Sequence, residues 1–361
     1  MYNLFSMKVL RGAFLLVLAG WMISCHEPEP TPKPTPTPVD GGSYRGIYIL
    51  NQGLMNSNNS TISYFDFATG EVTMDMFKDV NRRGLGDTGN DLLVYGTKMY
   101  CVVNVSNLVE VINVADCKSI KSISTPGRQP RHAVSHAGKI YVSCFDGSVL
   151  KIDTATLEIE ATATAGANPE GICIANNKLY VANSGGLNYP NYGHSVSVFD
   201  LGTFTKLTDI EVGLNPCGLQ SDYQGDVYVN SIGNYDDVPP RLQRIDTKTD
   251  KMVQTFDVPV TNFCIYDQKA YLYSFDYTTQ KSTFHVLNVG TEQIISNSFI
   301  VDGTFIETPY GIAVNPENGD VFIGDAFMSL YDGNVYCFNS AGRCQYTFEV
   351  GRNPGTMVFV K

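Results

Sequence analysis

An internal repeat constrains this chain more than any other feature of its sequence. From residue 43 onward, strand-length segments recur at an interval of about 45 residues, which falls within the range of propeller repeats. The clearest copy opens at Asn168-Pro169-Glu170-Gly171 and contains four such segments, at residues 172–175, 178–183, 195–200 and 206–212. Four antiparallel strands joined by turns form one propeller blade. The sequence therefore predicts an all-β propeller.

The number of copies and the two chain ends predict how the propeller closes. Six copies are complete. Residues 44–51 read as a second strand that lacks a first, followed by further strands at 61–66 and 72–77. Residues 353–360 read as a first strand that lacks a second. Because the two fragments complement each other and would remove an open sheet edge, we expect a seven-bladed β-propeller closed by N- and C-terminal strands in one blade.

The N-terminus has the parts of a secretory signal, with Lys8 and Arg11 before an apolar run at 13–21. The run ends in Met22-Ile23-Ser24-Cys25, which resembles a bacterial lipobox, so we expect Cys25 to be lipidated. An ordinary signal peptide with an incidental cysteine is the alternative. The alternating prolines that follow favour an extended conformation. The expected organisation is a signal peptide at 1–24, a lipid anchor and Pro-rich stalk at 25–42, and the propeller at 43–361.

The expected location is the outer membrane, with the lipid anchor holding the domain at the cell surface. Glu27 and Glu29 resemble the acidic export signal of surface lipoproteins in Bacteroidetes, although a periplasm-facing anchor stays open. The formal net charge is −11, and about −13 once Lys8 and Arg11 are removed with the signal. Such a surface repels phosphate backbones, which argues against nucleic acid as a partner.

Two repeat motifs resemble those of a known family. The Asn-Pro-x-Gly opening and the second strand Tyr180-Val181-Ala182-Asn183 resemble the YVTN repeat of YncE-like, surface-layer-type propellers, over essentially all of residues 43–361. The best-understood YncE-like lipoproteins of gut Bacteroidetes capture cobalamin (vitamin B12) and pass it to a TonB-dependent outer-membrane transporter. The resemblance thus implies a nutrient-binding lipoprotein with cobalamin as a ligand. We expect neither a cofactor nor an enzymatic activity, because the sequence lacks catalytic motifs.

Long loops predict which face of the propeller binds. Loops between second and third strands lie on the same face as the connections between blades, and five of them are long: 52–60, 184–194, 231–241, 275–281 and 325–334. Long loops on a rigid scaffold tend to be functional. Together with many Asn, Ser and Gly they carry His194 and six aromatic residues, namely Tyr189, Tyr192, Tyr235, Tyr277, Phe327 and Tyr331. This chemistry suits a large neutral ligand or a protein surface.

Cations in the connections between blades are expected near the central axis. They are Arg82, Arg83, Arg128, Arg131, His132 and Arg352. Either they bind an anionic group of the ligand, or they pair with Asp87, Asp91, Glu170 or Asp325; the sequence favours neither. Arg131, His132 and Arg352 join His194 and the six aromatic residues as the candidate ligand-binding set.

The sequence offers no catalytic or metal motif of a known kind. It has no phosphate-binding loop, no Gly-x-Ser-x-Gly and no HExxH, and its five histidines lack metal-ligand spacing. Two alternatives to nutrient capture remain: an interaction or adhesion propeller, and a metal-dependent propeller hydrolase or lyase. Cys337 and Cys344 flank a turn and could face each other across it, which would allow a disulfide in an exported chain.

Overall fold

Seven four-stranded antiparallel sheets surround a central channel in the computed structural model, which describes residues 37–361. The seven-bladed prediction is confirmed. The signal peptide (1–24), Cys25 and the stalk up to residue 36 lie outside the described residues. None of the helices found between residues 37 and 361 is both long enough and apolar enough to span a bilayer.

Each blade is ordered from the channel outward, and the strands are numbered along the chain. Blade 1 contains β28 (Pro354–Val360), β1 (Gly46–Asn51), β2 (Thr61–Asp66) and β3 (Val72–Thr73). Blade 2 contains β4 (Gly89–Tyr95), β5 (Lys98–Val103), β6 (Leu108–Asn113) and β7 (Ser119–Ser124). Blade 3 contains β8 (Pro130–His136), β9 (Lys139–Cys144), β10 (Ser148–Asp153) and β11 (Ile159–Thr164).

The remaining four blades repeat this order. Blade 4 contains β12 (Pro169–Ala175), β13 (Lys178–Asn183), β14 (Ser195–Asp200) and β15 (Thr205–Glu211). Blade 5 contains β16 (Pro216–Ser221), β17 (Val227–Ser231), β18 (Arg241–Asp246) and β19 (Lys251–Phe256). Blade 6 contains β20 (Asn262–Tyr266), β21 (Lys269–Asp276), β22 (Lys281–Asn288) and β23 (Gln293–Ser296). Blade 7 contains β24 (Pro309–Val314), β25 (Val321–Asp325), β26 (Asn334–Phe338) and β27 (Cys344–Glu349).

Blade 1 closes the ring with strands from both ends of the described chain. Strand β28 pairs antiparallel with β1, with Ile47 opposite Phe359 and Ile49 opposite Met357. The seven innermost strands contact one another in cyclic order, including β24 with β28 and β28 with β4. The sequence prediction of a shared closing blade is therefore confirmed. Contacts with this blade begin before residue 43, because Val39 N–H donates to the Phe67 carbonyl over 2.8 Å.

The hydrophobic core lies between blades rather than within one centre. Each pair of neighbouring blades shares one apolar cluster, such as Tyr48, Leu50 and Phe77 of the first blade region with Leu92 and Met99 of blade 2. The second strands are buried along most of their length, which explains their continuous apolar sequences. Fourth strands are largely exposed, and β7, β11, β23 and β27 alternate between exposed and partly or fully buried residues, as expected for an outer edge.

The Asn-Pro-x-Gly opening has a physical explanation in the backbone. Asn168, Asn215 and Asn353 have φ values of 46°, 58° and 56°, a left-handed conformation that asparagine tolerates better than most residues. The glycine allows close approach between inner strands: a Cβ at Gly171 would lie 2.3 Å from the Cys217 carbonyl oxygen, and at Gly311 1.9 Å from that of Gly355. The repeat motif thus packs neighbouring blades together.

Three local predictions were wrong. The strand expected at 72–77 ends at Thr73, and a helix, α1 (Met76–Asn81), follows because Phe77 is buried in the core shared by blades 1 and 2. The loop expected at 275–281 is shorter than predicted and covers residues 277–280, since β21 runs to Asp276 and β22 starts at Lys281. Cys337 lies opposite Tyr346 and Cys344 opposite Phe338, so the two thiols do not face each other and are free.

Candidate functional site

Raised connections occupy five consecutive blades at one end of the propeller. They are residues 184–194 in blade 4, 231–241 in blade 5, the extended β21–β22 hairpin in blade 6, 325–334 in blade 7 and 52–60 in blade 1. We call this end the loop face. Blades 2 and 3 have only the short turns 104–107 and 145–147 there. The raised connections therefore form a crescent around the channel that is low on the side of blades 2 and 3.

Three tyrosines from two neighbouring blades form a connected aromatic cluster on the crescent. The ring centroids of Tyr189 and Tyr192 lie 6.1 Å apart, and those of Tyr192 and Tyr235 also lie 6.1 Å apart, both edge-on. Tyr189 is 77% exposed and Tyr235 is 68% exposed. Sequence reasoning did not single out Leu187, a further exposed apolar side chain of the same loop. Such a concentration of exposed aromatic surface is typical of a binding site.

Hydrogen bonds from the loop backbones hold this cluster in place. In loop 184–194, Leu187 N–H donates to Asn168 Oδ1 over 3.1 Å, and Gly193 N–H donates to the Ser184 carbonyl over 2.7 Å. In loop 231–241, Asn234 Oδ1 accepts from Val238 N–H over 2.9 Å. Ordered loops lower the entropy that binding has to overcome.

The other predicted loop residues lie in separate places along the crescent. Tyr277 is exposed at the tip of the blade 6 hairpin and packs edge-on against Phe275, with ring centroids 4.8 Å apart. Phe327 begins a short 3-10 helix (Phe327–Ser329), and Tyr331 follows it, exposed. Arg352 donates through Nη2 to the Leu330 carbonyl over 3.0 Å and supports that loop. His194 is exposed beside β14, and no contact joins it to the tyrosine cluster.

A cavity of about 460 Å³ lies in the channel below the crescent. Its walls come from the first residues of the inner strands, at the same end as the loop face, and from Gln52. Six of these strands shift register there. Among the bulges, residues 131–132 oppose one residue of β9, 170–171 one residue of β13, and 310–311 one residue of β25. Bulges redirect side chains, and Arg131, His132 and Tyr310 line the cavity.

Four charged or titratable residues from blades 2, 3 and 4 form a channel cluster: Asp91, Arg131, His132 and Glu170. Arg131 donates to Glu170 through both Nε (2.8 Å) and Nη2 (3.1 Å), and its guanidinium stacks 4.4 Å from the Phe145 ring centroid. His132 lies between the two carboxylates, with Nδ1 3.5 Å from Asp91 Oδ2 and Nε2 3.9 Å from Glu170 Oε2.

Asp91 is the most firmly held carboxylate of the channel cluster. It accepts hydrogen bonds from Leu92 N–H and Ala133 N–H, each at 2.9 Å, and from the Thr356 hydroxyl at 3.0 Å. Burial opposes its charge, but His132 and these donors outweigh the burial, so the pKa of Asp91 lies below its ordinary value. Blades 1, 2 and 3 are thereby joined through one side chain.

Ion pairing accounts for most of the cations that we expected near the axis. Of these six residues, only Arg131 and His132 line the cavity, and both face carboxylates. Arg83 instead pairs with Glu110 (2.7 Å) on a third strand, and Arg128 pairs with Asp146 (3.2 Å). Of the two alternatives, pairing with a carboxylate therefore holds for four of the six cations, and for Arg131 and His132 the partners are Glu170 and Asp91.

Two further acidic residues organise backbone at the loop face. Asp87 accepts from the N–H groups of Asn56 (3.0 Å) and Asn58 (3.1 Å) in loop 52–60. Asp325 accepts from the N–H groups of Glu307 (2.7 Å) and Thr308 (2.8 Å). Both carboxylates are buried and order the connections that form the crescent.

Cys217 and Cys264 of the inner strands are not activated thiols. Burial raises the pKa of the Cys217 thiol well above its usual value and that of the Cys264 thiol to about 12, so both are protonated at neutral pH. Between residues 37 and 361, no three His, Cys, Asp or Glu side chains are grouped closely enough to form a metal site. The cavity thus offers hydrogen bonds and an ion-pair network rather than an activated cysteine.

Sequence reasoning missed Tyr310 and Gln52. Burial raises the pKa of Tyr310 to about 12, although the nearby charge of Arg131 acts in the opposite direction. Alignment of the repeat openings would have found this tyrosine, because Thr308-Pro309-Tyr310-Gly311 places it where Asn168-Pro169-Glu170-Gly171 places Glu170. Nothing in the sequence marks Gln52 as a channel residue.

Comparisons with known proteins identify the domain and the fold. A family model described as a domain of unknown function, DUF5074, matches residues 45–345. No curated protein matches the chain. A solved quinoprotein alcohol dehydrogenase-like protein from Bacteroides thetaiotaomicron is similar at 14% identity, with a TM-score of 0.64 over 88% of this chain and 78% of that one.

Two further solved structures are similar at comparable identity. The computationally designed Ika8 protein shares 14% identity, with a TM-score of 0.57 over 90% of this chain and 98% of its own. Hydrazine synthase from Kuenenia stuttgartiensis shares 15% identity, with a TM-score of 0.57 over 68% of this chain and 74% of its own. At such identities the likeness shows the propeller fold alone.

Proposed function

The chain belongs to the DUF5074 family, and we propose that this member is a lipid-anchored binding protein that captures a large, largely neutral nutrient on its loop face. The observation that carries the proposal is the cluster of Tyr189, Tyr192 and Tyr235, which spans two blades and leaves two of its rings mostly exposed. Exposed aromatic rings on ordered loops bind ligands at a low cost in conformational entropy.

The size and polarity of the loop face support a large, amide- or hydroxyl-rich ligand. The exposed aromatic residues lie on four different blades, including Tyr277 and Tyr331, so a ligand in contact with several of them has to be broad. Asparagine and serine residues between the rings offer neutral hydrogen-bond donors and acceptors. The cations of the channel cluster are paired with carboxylates, so they give a strongly anionic ligand little advantage.

Cobalamin is the ligand that we propose first. It is large, carries many amides and has only one phosphate, and the resemblance of the repeats to YncE-like lipoproteins points to it. In this proposal Cys25 carries the lipid, the proline-rich segment extends the propeller from the outer membrane at the cell surface, and the vitamin passes to a TonB-dependent transporter.

Calorimetric titration of the purified mature chain with cyanocobalamin tests the proposal. We expect saturable binding that is weakened at least tenfold in a Tyr189→Ala, Tyr235→Ala double variant, since each exposed aromatic anchor is worth roughly 1 kcal/mol or more. Tyr223→Ala is the matched control, because Tyr223 is also a mostly exposed tyrosine (59%) and lies on the β16–β17 hairpin at the opposite end.

The absence of any binding heat at micromolar protein would reject cobalamin as the ligand. A pull-down from detergent-solubilised membranes then distinguishes the interaction propeller from another nutrient binder. A protein partner that is captured by the parent chain and the Tyr223→Ala control, but lost with the double variant, would support the interaction alternative.

A further inference from the structure

The channel cavity has the properties of a ligand site of its own. Its volume of about 460 Å³ lies within the roughly 300–1,000 Å³ range of small-molecule pockets. None of the three clustered tyrosines of the loop face lines it, whereas Gln52, Arg131 and Tyr310 do. These side chains come from three different blades, so they converge only in the folded ring.

The charged groups of the cavity are already satisfied by one another. Two of the guanidinium nitrogens of Arg131 donate to Glu170, which removes much of the attraction that a free arginine would have for an anion. The oxygens of Asp91 already accept from three protein donors besides facing His132, which leaves them little capacity to bind a cation. An ionic ligand would therefore have to displace existing contacts.

Three hydrogen-bonding groups remain unused at the cavity wall. Within the described residues 37–361, the Tyr310 hydroxyl, the Gln52 side-chain amide and Arg131 Nη1 have no hydrogen-bond partner. Together they provide both donors and acceptors. Each of the three groups is accessible from outside the protein, so a ligand in the cavity can bond to it without breaking a contact within the protein.

We infer that the channel cavity is a second ligand site, specific for a small uncharged polyhydroxyl compound such as a monosaccharide. The hydroxyl groups of the compound accept from Arg131 Nη1 and exchange hydrogen bonds with the Tyr310 hydroxyl and the Gln52 amide. The flat ring of Tyr310 matches the apolar C–H face of a pyranose. A charged small molecule lacks a comparable set of free partners here.

The rigidity of the cavity favours such a ligand. Tyr310 and Arg131 are placed by β-bulges in β24 and β8. The Tyr310 carbonyl accepts from Asn262 and from the Tyr273 hydroxyl of blade 6, which ties its backbone to the neighbouring blade. Sugars bind weakly unless the site is pre-organised, because their hydroxyl groups must exchange water for protein hydrogen bonds.

The test is a titration of the mature chain with glucose, galactose, mannose and N-acetylglucosamine, and with sodium phosphate and ethylamine as ionic probes, by calorimetry and thermal shift. We expect saturable binding of at least one sugar. Tyr310→Phe should weaken it about tenfold, since it removes one hydroxyl that makes no bond in the free protein, and should leave the melting temperature unchanged. Tyr331→Phe, an exposed tyrosine of the same face outside the cavity, is the matched control.

Four results would overturn this inference. No sugar binds, or sugar binding is unchanged in Tyr310→Phe, or it is weakened equally in Tyr331→Phe. The fourth is an ionic probe that binds the parent chain and is weakened about tenfold by Tyr310→Phe. The inference is separate from the capture of cobalamin. Sugar binding should persist in Tyr235→Ala, a change outside the cavity, and a failure to bind cyanocobalamin leaves the channel site untouched.

Discussion

The ion pair between Arg131 and Glu170 gives the most quantitative test of the channel cluster. Its two N···O distances are 2.8 and 3.1 Å, and the side chains of Arg131 and Glu170 are only 18% and 10% exposed. The change Arg131→Met keeps an unbranched chain against Phe145 but leaves the Glu170 carboxylate without its partner. Breaking a buried pair in this way costs roughly 3–5 kcal/mol, and the residual exposure points to the lower end, about 3 kcal/mol.

For a domain of this size, such a loss lowers the melting temperature by about 4 °C. Differential scanning calorimetry of the single variant and of an Arg131→Met, Glu170→Gln double variant measures both effects. The double variant should regain at least half of the loss, because no unpaired charge is left in the cavity. The reasoning fails if the single variant melts within about 1 °C of the parent, or if the double variant is no more stable than the single one.

Three further predictions concern packing, acid stability and loop order. Gly311→Ala should destabilise by about 2 kcal/mol, because the new Cβ would lie 1.9 Å from a carbonyl oxygen of blade 1; Gly84→Ala, with nothing within 4 Å, is the control in a urea titration. The folded pKa of Asp91 lies below its ordinary value, so its ionised carboxylate stabilises the fold above about pH 4, and this stabilisation is lost as the pH falls through the folded pKa. Asp91→Asn should therefore flatten the acid end of the stability–pH curve measured by thermal melting. Asp87→Ala removes the acceptor for two backbone N–H groups of loop 52–60. In this variant, limited proteolysis should cut loop 52–60 faster than loop 231–241. Equal cleavage rates of the two loops would contradict the ordering role of Asp87.

The fold was predictable because its signal recurs along the chain. In the Asn-Pro-x-Gly opening, the asparagine adopts a left-handed backbone conformation and the glycine allows a close contact between blades. Each copy that carries the motif is subject to the same two constraints. The closing blade was predictable because each chain end lacked the strand that the other supplied. Helix α1 was missed although it has a local signal, the N-cap Asp75, whose side chain accepts from Lys78 N–H. Burial of Phe77 between two blades also favours the helix.

The site was less predictable because it depends on which side chains meet across the ring. Tyr189, Tyr192 and Tyr235 were found, since each belongs to a long loop with an aromatic excess. The pairing of Arg131 with Glu170 stayed one of two open alternatives and the free hydroxyl of Tyr310 was missed, because these residues are brought together by the circular arrangement of blades 3, 4 and 7. One sequence does not give that juxtaposition.

The most direct test of the central claim is hydrogen–deuterium exchange of the mature chain with and without saturating cyanocobalamin. Amide exchange reports where a ligand covers or orders the backbone. The account predicts that cyanocobalamin slows exchange in loops 184–194 and 231–241, which carry the tyrosine cluster. Exchange at the β12–β13 and β16–β17 hairpins at the opposite end should not change. Protection confined to those hairpins, or exchange that the vitamin leaves unchanged throughout, would contradict it.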